Sequence, residues 1–150
     1  MHESLRTRWF RWGTNFWPCY RGTGGRVAFV AADWSEIRVK LPLSWRTRNY
    51  VGTIFGGSLY ASVDPFFMLM LIKRLGSGFI VWDKAASIRF RKPGKTTLTA
   101  IMRLDDTELA EVQRLMELES KLDRTYRVEL VDREGIVHAE IDKVVQIRRK

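Results

Sequence analysis

The chain is poor in the residues that cross-links and soft-metal centres require. Its single cysteine, Cys19, excludes an internal disulfide framework and a multi-cysteine zinc site. His2 and His138 are the only histidines, too few for a conventional soft-metal cluster, so no metal is expected. Long hydrophobic runs are missing as well. The longest, residues 59–72, is interrupted by Asp64 and Pro65, and at about 14 residues it falls short of the roughly 20 that a bilayer-spanning helix needs. No integral membrane segment is expected. Residues 5–20 hold Arg6, Arg8 and Arg11 and no continuous apolar stretch, so a secretory leader is not expected and a cytoplasmic location is.

What is present is the composition of a globular domain. Hydrophobic residues make up 45% and charged residues 29% of the 150. One domain, residues 1–150, is expected, burying about 70% of the surface its unfolded form exposes. The net charge of +9 is uneven: residues 1–48 and 49–104 carry +6 each, and residues 105–150 carry −3. A basic first two-thirds suits a phosphorylated small molecule, an anionic lipid surface or nucleic acid. Charge alone does not choose among them. No RNA- or DNA-module motif accompanies it, so nucleic acid is not an expected partner.

Hydrophobic periodicity divides the chain. In a basic, aromatic arm over residues 1–20, Leu5, Trp9, Trp12 and Phe16 share one face at helical spacing. Such a helix either docks on its own domain or offers that face to a partner or a membrane surface. Residues 27–32 and 37–41 read as strands, joined by a turn at Asp33-Trp34-Ser35-Glu36. Residues 58–76 are apolar on all sides, the mark of a buried helix, and close with Lys73, Arg74 and Gly76.

Period-two alternation then marks strands at 79–84, 86–92 and 96–104, the last two joined around Pro93-Gly94. A second helix is expected over 107–122, with Leu109, Val112, Leu115, Met116 and Leu122 on one side. Residues 126–131 and 136–147 form a hairpin across Asp132-Arg133-Glu134-Gly135, and His138 reads as partly exposed within it. One helix that is apolar all round needs a sheet to wrap it. The predicted class is therefore α+β, an antiparallel sheet around one long central helix, with an extra N-terminal helix and an inserted helix.

Several motif candidates fail on spacing. Gly94-Lys95-Thr96 resembles the end of a phosphate-binding loop, but its first glycine would fall at Arg89. Ser58 lacks a nucleophile elbow. The informative stretch runs from Asn49 to Asp64, NYVGTIFGGSLYASVD. Two glycines at the entry to a buried helix let a ligand approach the backbone, where free N–H groups favour an anion or a developing oxyanion. Asp64 lies about two turns further on in an apolar run. A carboxylate buried there without partners costs several kcal/mol. Partners, an opening onto a cavity, or chemistry must account for it, and spacing leaves these open. Pro65 removes a backbone N–H and bends the helix beside Asp64.

Asn49, Gly52, Thr53, Gly56, Gly57 and Asp64, at this spacing, resemble the signature of hotdog-fold acyl-CoA thioesterases of the phenylacetyl-CoA type. With Pro65-Phe66 following the aspartate, the chain is still more similar to a thioesterase-like hotdog family described as a domain of unknown function. The strand SIRFRKPG, residues 87–94, adds to the likeness, which spans residues 20–148. The resemblance implies hydrolysis of an acyl-CoA or related acyl thioester. Asp64 would be general base or nucleophile, the Gly56 N–H the oxyanion donor, Gly57 the close-approach position, and Asn49 a positioning group. It also implies a homodimer or homotetramer with the site between protomers.

Coenzyme A would enter as part of the substrate, with no separate cofactor, and an acyl-carrier protein is the other possible donor. Where the thioesterase signature has histidine, this chain has Phe55, which removes a side-chain donor and leaves a backbone oxyanion hole. A non-catalytic acyl- or acyl-CoA-binding protein is the alternative. The resemblance brings Asp83 and Lys84 to the pocket edge, an ion pair at a strand end being the other reading. Arg89 and Arg91 share a strand face that either contacts CoA phosphates or is simply solvated. Phe66, Phe67, Met68 and Met70 line an acyl tunnel or pack as core.

Overall fold

A computed structural model describes residues 1–150. The arm forms helix α1 (Leu5–Phe16) and a short α2 (Pro18–Gly22). Ser4 caps α1 through a reciprocal pair with Thr7. Strands β1 (Arg26–Val30) and β2 (Glu36–Leu41) form the first hairpin. Its turn holds Trp34 at a φ of 62°, stabilised by Asp33 accepting from the Ser35 N–H and by Phe10 packed edge-on against the Trp34 ring.

The expected central helix is present as two segments, α3 (Gly56–Ala61) and α4 (Phe66–Leu75), separated by a bend at residues 62–65. Pro65 supplies no N–H, so the i→i−4 ladder stops there. The Ser62 carbonyl, left without a helical donor at the bend, accepts from the Tyr20 hydroxyl at 3.0 Å. Glycine at position 25 is what lets these parts close: a Cβ there would lie 2.8 Å from the Ser62 Cβ and 2.9 Å from the Tyr20 hydroxyl.

Residues 79–92, expected as two strands, form one, β3 (Phe79–Phe90), with a bulge at Lys84. β4 (Leu98–Arg103) follows, then the inserted helix α5 (Asp106–Leu118), started by the Asp105 side chain accepting from the Glu108 N–H. This helix is shorter than expected. Leu122 belongs to β5 (Lys121–Val131), which hairpins into β6 (Val137–Arg149). His138 is buried, not partly exposed: its ring nitrogens reach Pro93 O and Asp132 Oδ2.

The six strands make one antiparallel sheet in the order β1-β2-β4-β5-β6-β3. β3 and β4 are thus sequence neighbours but not sheet neighbours, and residues 91–97 carry the chain across. The sheet's inner face wraps α4, whose Phe66, Phe67, Met70 and Leu71 are buried. The Phe67 ring stacks on Tyr126 of β5, and Phe66 meets Tyr20 edge-on. The aromatic and methionine side chains of α4 that are fully buried pack as core.

The two outer strands are treated differently. At β1, the Asn15 amide of α1 donates to Val27 O and accepts from Val27 N–H, while Glu3 accepts from Val30 N–H. Helix α1 therefore covers that edge. β3, at the other end, pairs only with β6.

Candidate functional site

Four polar side chains meet where the bend of the central helix faces β3 and β6. Asp64 stands at the bend, Tyr60 one turn before it on α3, Asp83 on β3 and Lys143 on β6. Lys143 is the centre. Its ammonium lies 2.5 Å from Asp64 Oδ1, 3.1 Å from Asp83 Oδ2 and 3.2 Å from the Tyr60 hydroxyl. Tyr60 donates to Asp64 Oδ1 at 2.5 Å. The Lys143 side chain is fully buried, whereas that of Asp64 keeps 41% of its surface exposed. The carboxylate at the helix bend is both anchored and open.

Sheet phase explains the convergence. Along β6, Ala139, Ile141, Val145 and Ile147 are buried and share the core face, and Lys143 occupies the middle position of that row. A lysine in the apolar phase of an alternating strand was the sequence signal for it. On β3, Asp83 faces inward two residues after the buried Val81. The bulge at Lys84 then rephases the strand, so that Ala86, Ile88 and Phe90 face the helix.

Protonation follows from the surroundings. Burial would lower Lys143, yet its bonds to Asp64, Tyr60 and Asp83 prevail and hold the ammonium above its usual value. Burial raises Tyr60, and the neighbouring Asp64 carboxylate adds to that. Asp83 is raised by burial despite Lys143, and its Oδ1 has no hydrogen-bond partner. The hydroxyl and the ammonium are thus fixed donors, while Asp83 takes a proton more readily than an ordinary aspartate.

A groove beside this cluster is lined by Gly56, Gly57 and Tyr60 from the helix and by Ala86, Ile88 and Phe90 from β3. Helix α3 begins in it, with no side chain capping its first N–H groups. Both glycines let aromatic rings lie close against the backbone. A Cβ at Gly57 would lie 2.4 Å from the Phe55 ring, and one at Gly56 would lie 3.1 Å from the Phe90 ring. Phe55 itself is 58% exposed, and its ring lies against Gly57, one of the residues that line the groove.

The structure brings Asp64, Gly56, Gly57, Phe55 and Asp83 together and adds Tyr60 and Lys143. It does not bring the others. The Asn49 side chain closes its own turn, donating to Thr53 Oγ1 and accepting from the Thr53 N–H, with Gly52 at a φ of 83° completing the turn. Lys84 points outward to Asp123. Arg89 stands on the outer face of β3, opposite Ile88 and Phe90, and Arg91 lies just past the strand's end. There Arg91 pairs with Glu140, and Arg89 faces the acidic pair Glu140 and Asp142.

No helix is long and apolar enough to cross a membrane. Comparison with solved structures gives matches over nearly the whole chain. A protein of unknown function from Pseudomonas aeruginosa, described as a probable thioesterase, superposes with a TM-score of 0.83 at 22% identity, covering 100% of both chains. One of unknown function from Chlorobaculum tepidum gives 0.75 at 14%, covering 97% of this chain and 95% of that one. A thioesterase from Haemophilus influenzae gives 0.62 at 14%, covering 86% and 81%. No curated protein matches the sequence. The model of a domain of unknown function, DUF4442, matches residues 6–147, and with that span the chain belongs to the DUF4442 family, in the hotdog fold it shares with these thioesterases.

Proposed function

We propose that this protein hydrolyses an acyl-CoA or related acyl thioester, with Asp64 as general base or nucleophile. One observation carries the reading. Asp64 is held by Tyr60 and Lys143 yet remains exposed, beside a groove into which the uncapped start of α3 opens. A thioester carbonyl in the groove would meet a carboxylate on one side and the Gly56 N–H on the other. Water gives a proton to Asp64 and adds to the carbonyl carbon, or the carboxylate itself adds and water then hydrolyses the acyl–aspartyl anhydride, freeing the acid. In either route the proton that ends on the thiol comes from that water. The negative charge on oxygen is stabilised by the helix N-terminus, and the thiolate leaves with a proton. Lys143 and Tyr60 act as positioning residues, fixing the Asp64 oxygen they share.

The same reading takes the homodimer as the working unit. Helix α1 covers the β1 edge, while the β3 edge carries a long strand with a free side and exposed Trp82 and Phe90. A second copy paired along β3 would wall the groove. The substrate's CoA or carrier-protein portion would then lie across the protomer boundary, and Arg89, on the outer face, and Arg91, past the strand's end, are not assigned to it.

The decisive experiment is thiol release across acyl-CoAs from acetyl to palmitoyl, with Asp64→Ala beside wild type. Turnover that falls about 10²-fold or more in the variant supports the assignment. No turnover with any acyl-CoA removes hydrolysis of CoA thioesters. Phe55 beside Gly57, where a polar donor would assist the oxyanion, favours one alternative, a non-catalytic acyl binder. Binding of the same acyl-CoAs without turnover is its signature.

A further inference from the structure

The arm docks by the face opposite the one its periodicity marks out. Thr7 is buried, Phe10 packs on Trp34, and Asn15 bonds β1. Leu5, Trp9, Trp12 and Phe16 are left outward at 73%, 77%, 52% and 64% exposure. Trp12 and Phe16 stack on one another with ring centroids 6.2 Å apart, which sets a flat apolar ridge along α1. Trp17 and Trp45 are also exposed and extend the apolar surface. Soluble domains rarely leave so many large side chains in one strip without a use.

The charge around the strip has one sign. Arg6 and Arg8 are exposed and, at 100° per residue, fall one on each flank of the ridge. Beneath it, a cleft of about 370 Å³ runs between α1 and the loop after β2, with Trp12 and Phe16 at its rim and Arg21, Arg26 and Arg46 among its walls. The arm's one ion pair is internal, Arg11 with Glu3. The surface therefore combines a row of apolar side chains with guanidinium groups on both sides and in a cleft below.

We infer that this face docks on the surface of an anionic lipid bilayer. The match is chemical. Leu5, Trp9, Trp12 and Phe16 would enter the boundary between headgroups and acyl chains, where indole rings are favoured. Arg6 and Arg8 would reach sideways to the phosphates, and Arg21, Arg26 and Arg46 would receive a headgroup in the cleft. A nucleic acid would satisfy the arginines, but it offers no apolar phase for Leu5 or for a Trp12–Phe16 pair already stacked on itself. A second copy would bring the same arginines face to face. The helix lies on the surface and does not cross it, consistent with its 12-residue length.

Flotation with vesicles tests this, using phosphatidylcholine alone and phosphatidylcholine with about a third phosphatidylglycerol. Partitioning onto the anionic vesicles is expected to exceed that onto the neutral ones by about 10-fold or more and to fall as salt is raised. The Trp9→Ser/Trp12→Ser variant should lose about 10-fold or more, and Arg6→Gln/Arg8→Gln should lower the preference for anionic lipid several-fold. Circular dichroism and sedimentation of each variant report whether fold and mass are unchanged. Absence of flotation at low salt overturns the inference, as does flotation indifferent to these substitutions. So does a change of mass in the tryptophan variant, which would mean the face covers another copy. Tighter binding of a mixed-sequence single-stranded oligonucleotide that displaces the vesicles would overturn it too.

Discussion

The ammonium of Lys143, buried on the core face of β6, lies 2.5 Å from the Asp64 carboxylate at the bend of the central helix. The same cation holds Asp83 of β3 at 3.1 Å. One positive charge therefore serves two carboxylates from two separate elements, and the Tyr60 hydroxyl supplies the second donor to Asp64. The fold gives Asp64 a fixed orientation without burying it. Pro65 opens the bend, the Tyr20 hydroxyl satisfies the carbonyl that the bend frees, and the bulge at Lys84 keeps Asp83 inward while Lys84 turns out.

Replacing Lys143 by methionine should therefore remove orientation as well as charge. Methionine fills much of the same volume, but Asp64 and Asp83 are left facing each other without a cation. Turnover in the acyl-CoA assay is expected to fall by about 10–10²-fold, and stability at pH 7 by about 1–3 kcal/mol, moderated by the exposure of Asp64. Urea unfolding at two pH values checks the second figure. The loss should narrow toward acid, where Asp83, already raised by burial, takes up a proton and no longer needs the ammonium. A variant as active and as stable as wild type would show that the cluster is incidental.

The pH–rate profile follows from the same three groups. Lys143 and Tyr60 are both held above their ordinary values of 10.5 and 10.0, so neither should produce an alkaline limb below pH 10. The acid limb should include Asp83, whose midpoint lies above its ordinary 3.8 because burial disfavours the charged form. Asp83→Asn should shift that limb and leave the alkaline side unchanged. Steady-state rates from pH 4 to 10 read both features, and a lysine- or tyrosine-like limb near neutrality would contradict the assignment.

Much of this was legible in the chain, and what was not has physical reasons. Residues 66–75 are apolar on every side, so their burial could be read directly, and Gly56, Gly57 and Asp64 signalled the groove and its carboxylate. Pro65 signalled a bend, though not that four residues would leave the helix. The position of β4 between β2 and β5 depends on pairing across long sequence separations, which local periodicity does not encode. Lys143 was missed because a lysine in a strand reads as solvated, although its place in the apolar phase of residues 139–147 marked it as inward. In α1, periodicity located the apolar stripe but not the side that docks. Thr7 and Asn15, which do the docking, look like surface residues.

Acid sensitivity of the fold should trace in part to Glu36. This residue is buried on β2 and bonds both Arg38 and Arg103, at 2.6 and 2.8 Å. Burial alone would raise its carboxyl, but the two arginines outweigh that and hold it below the ordinary 4.5. A depressed carboxyl favours the folded state above the unfolded value and loses that contribution as pH falls through the folded one. Glu36→Gln should thus destabilise by about 1–2 kcal/mol at pH 7. Its unfolding midpoint should converge on wild type as the pH drops below about 4.5. A difference independent of pH would assign the effect to packing instead.

Gly25→Ala tests whether the bend depends on close packing of the arm. The added Cβ would meet the Ser62 Cβ at 2.8 Å, the Tyr20 hydroxyl at 2.9 Å and the Ser62 Cα at 3.2 Å. Two of these atoms belong to the bend and the third bonds its carbonyl, so relief requires moving backbone. Overpacking of this kind costs about 1–3 kcal/mol, or several degrees in Tm for a chain of this size. Gly13→Ala is the control, because nothing lies within 4 Å of its added Cβ and its place in α1 favours alanine by about 0.5–1 kcal/mol. If Asp64 is positioned through the bend, Gly25→Ala should also lower kcat while Gly13→Ala leaves it unchanged. Equal melting temperatures and rates in the two variants would mean that the arm and the bend are mechanically independent.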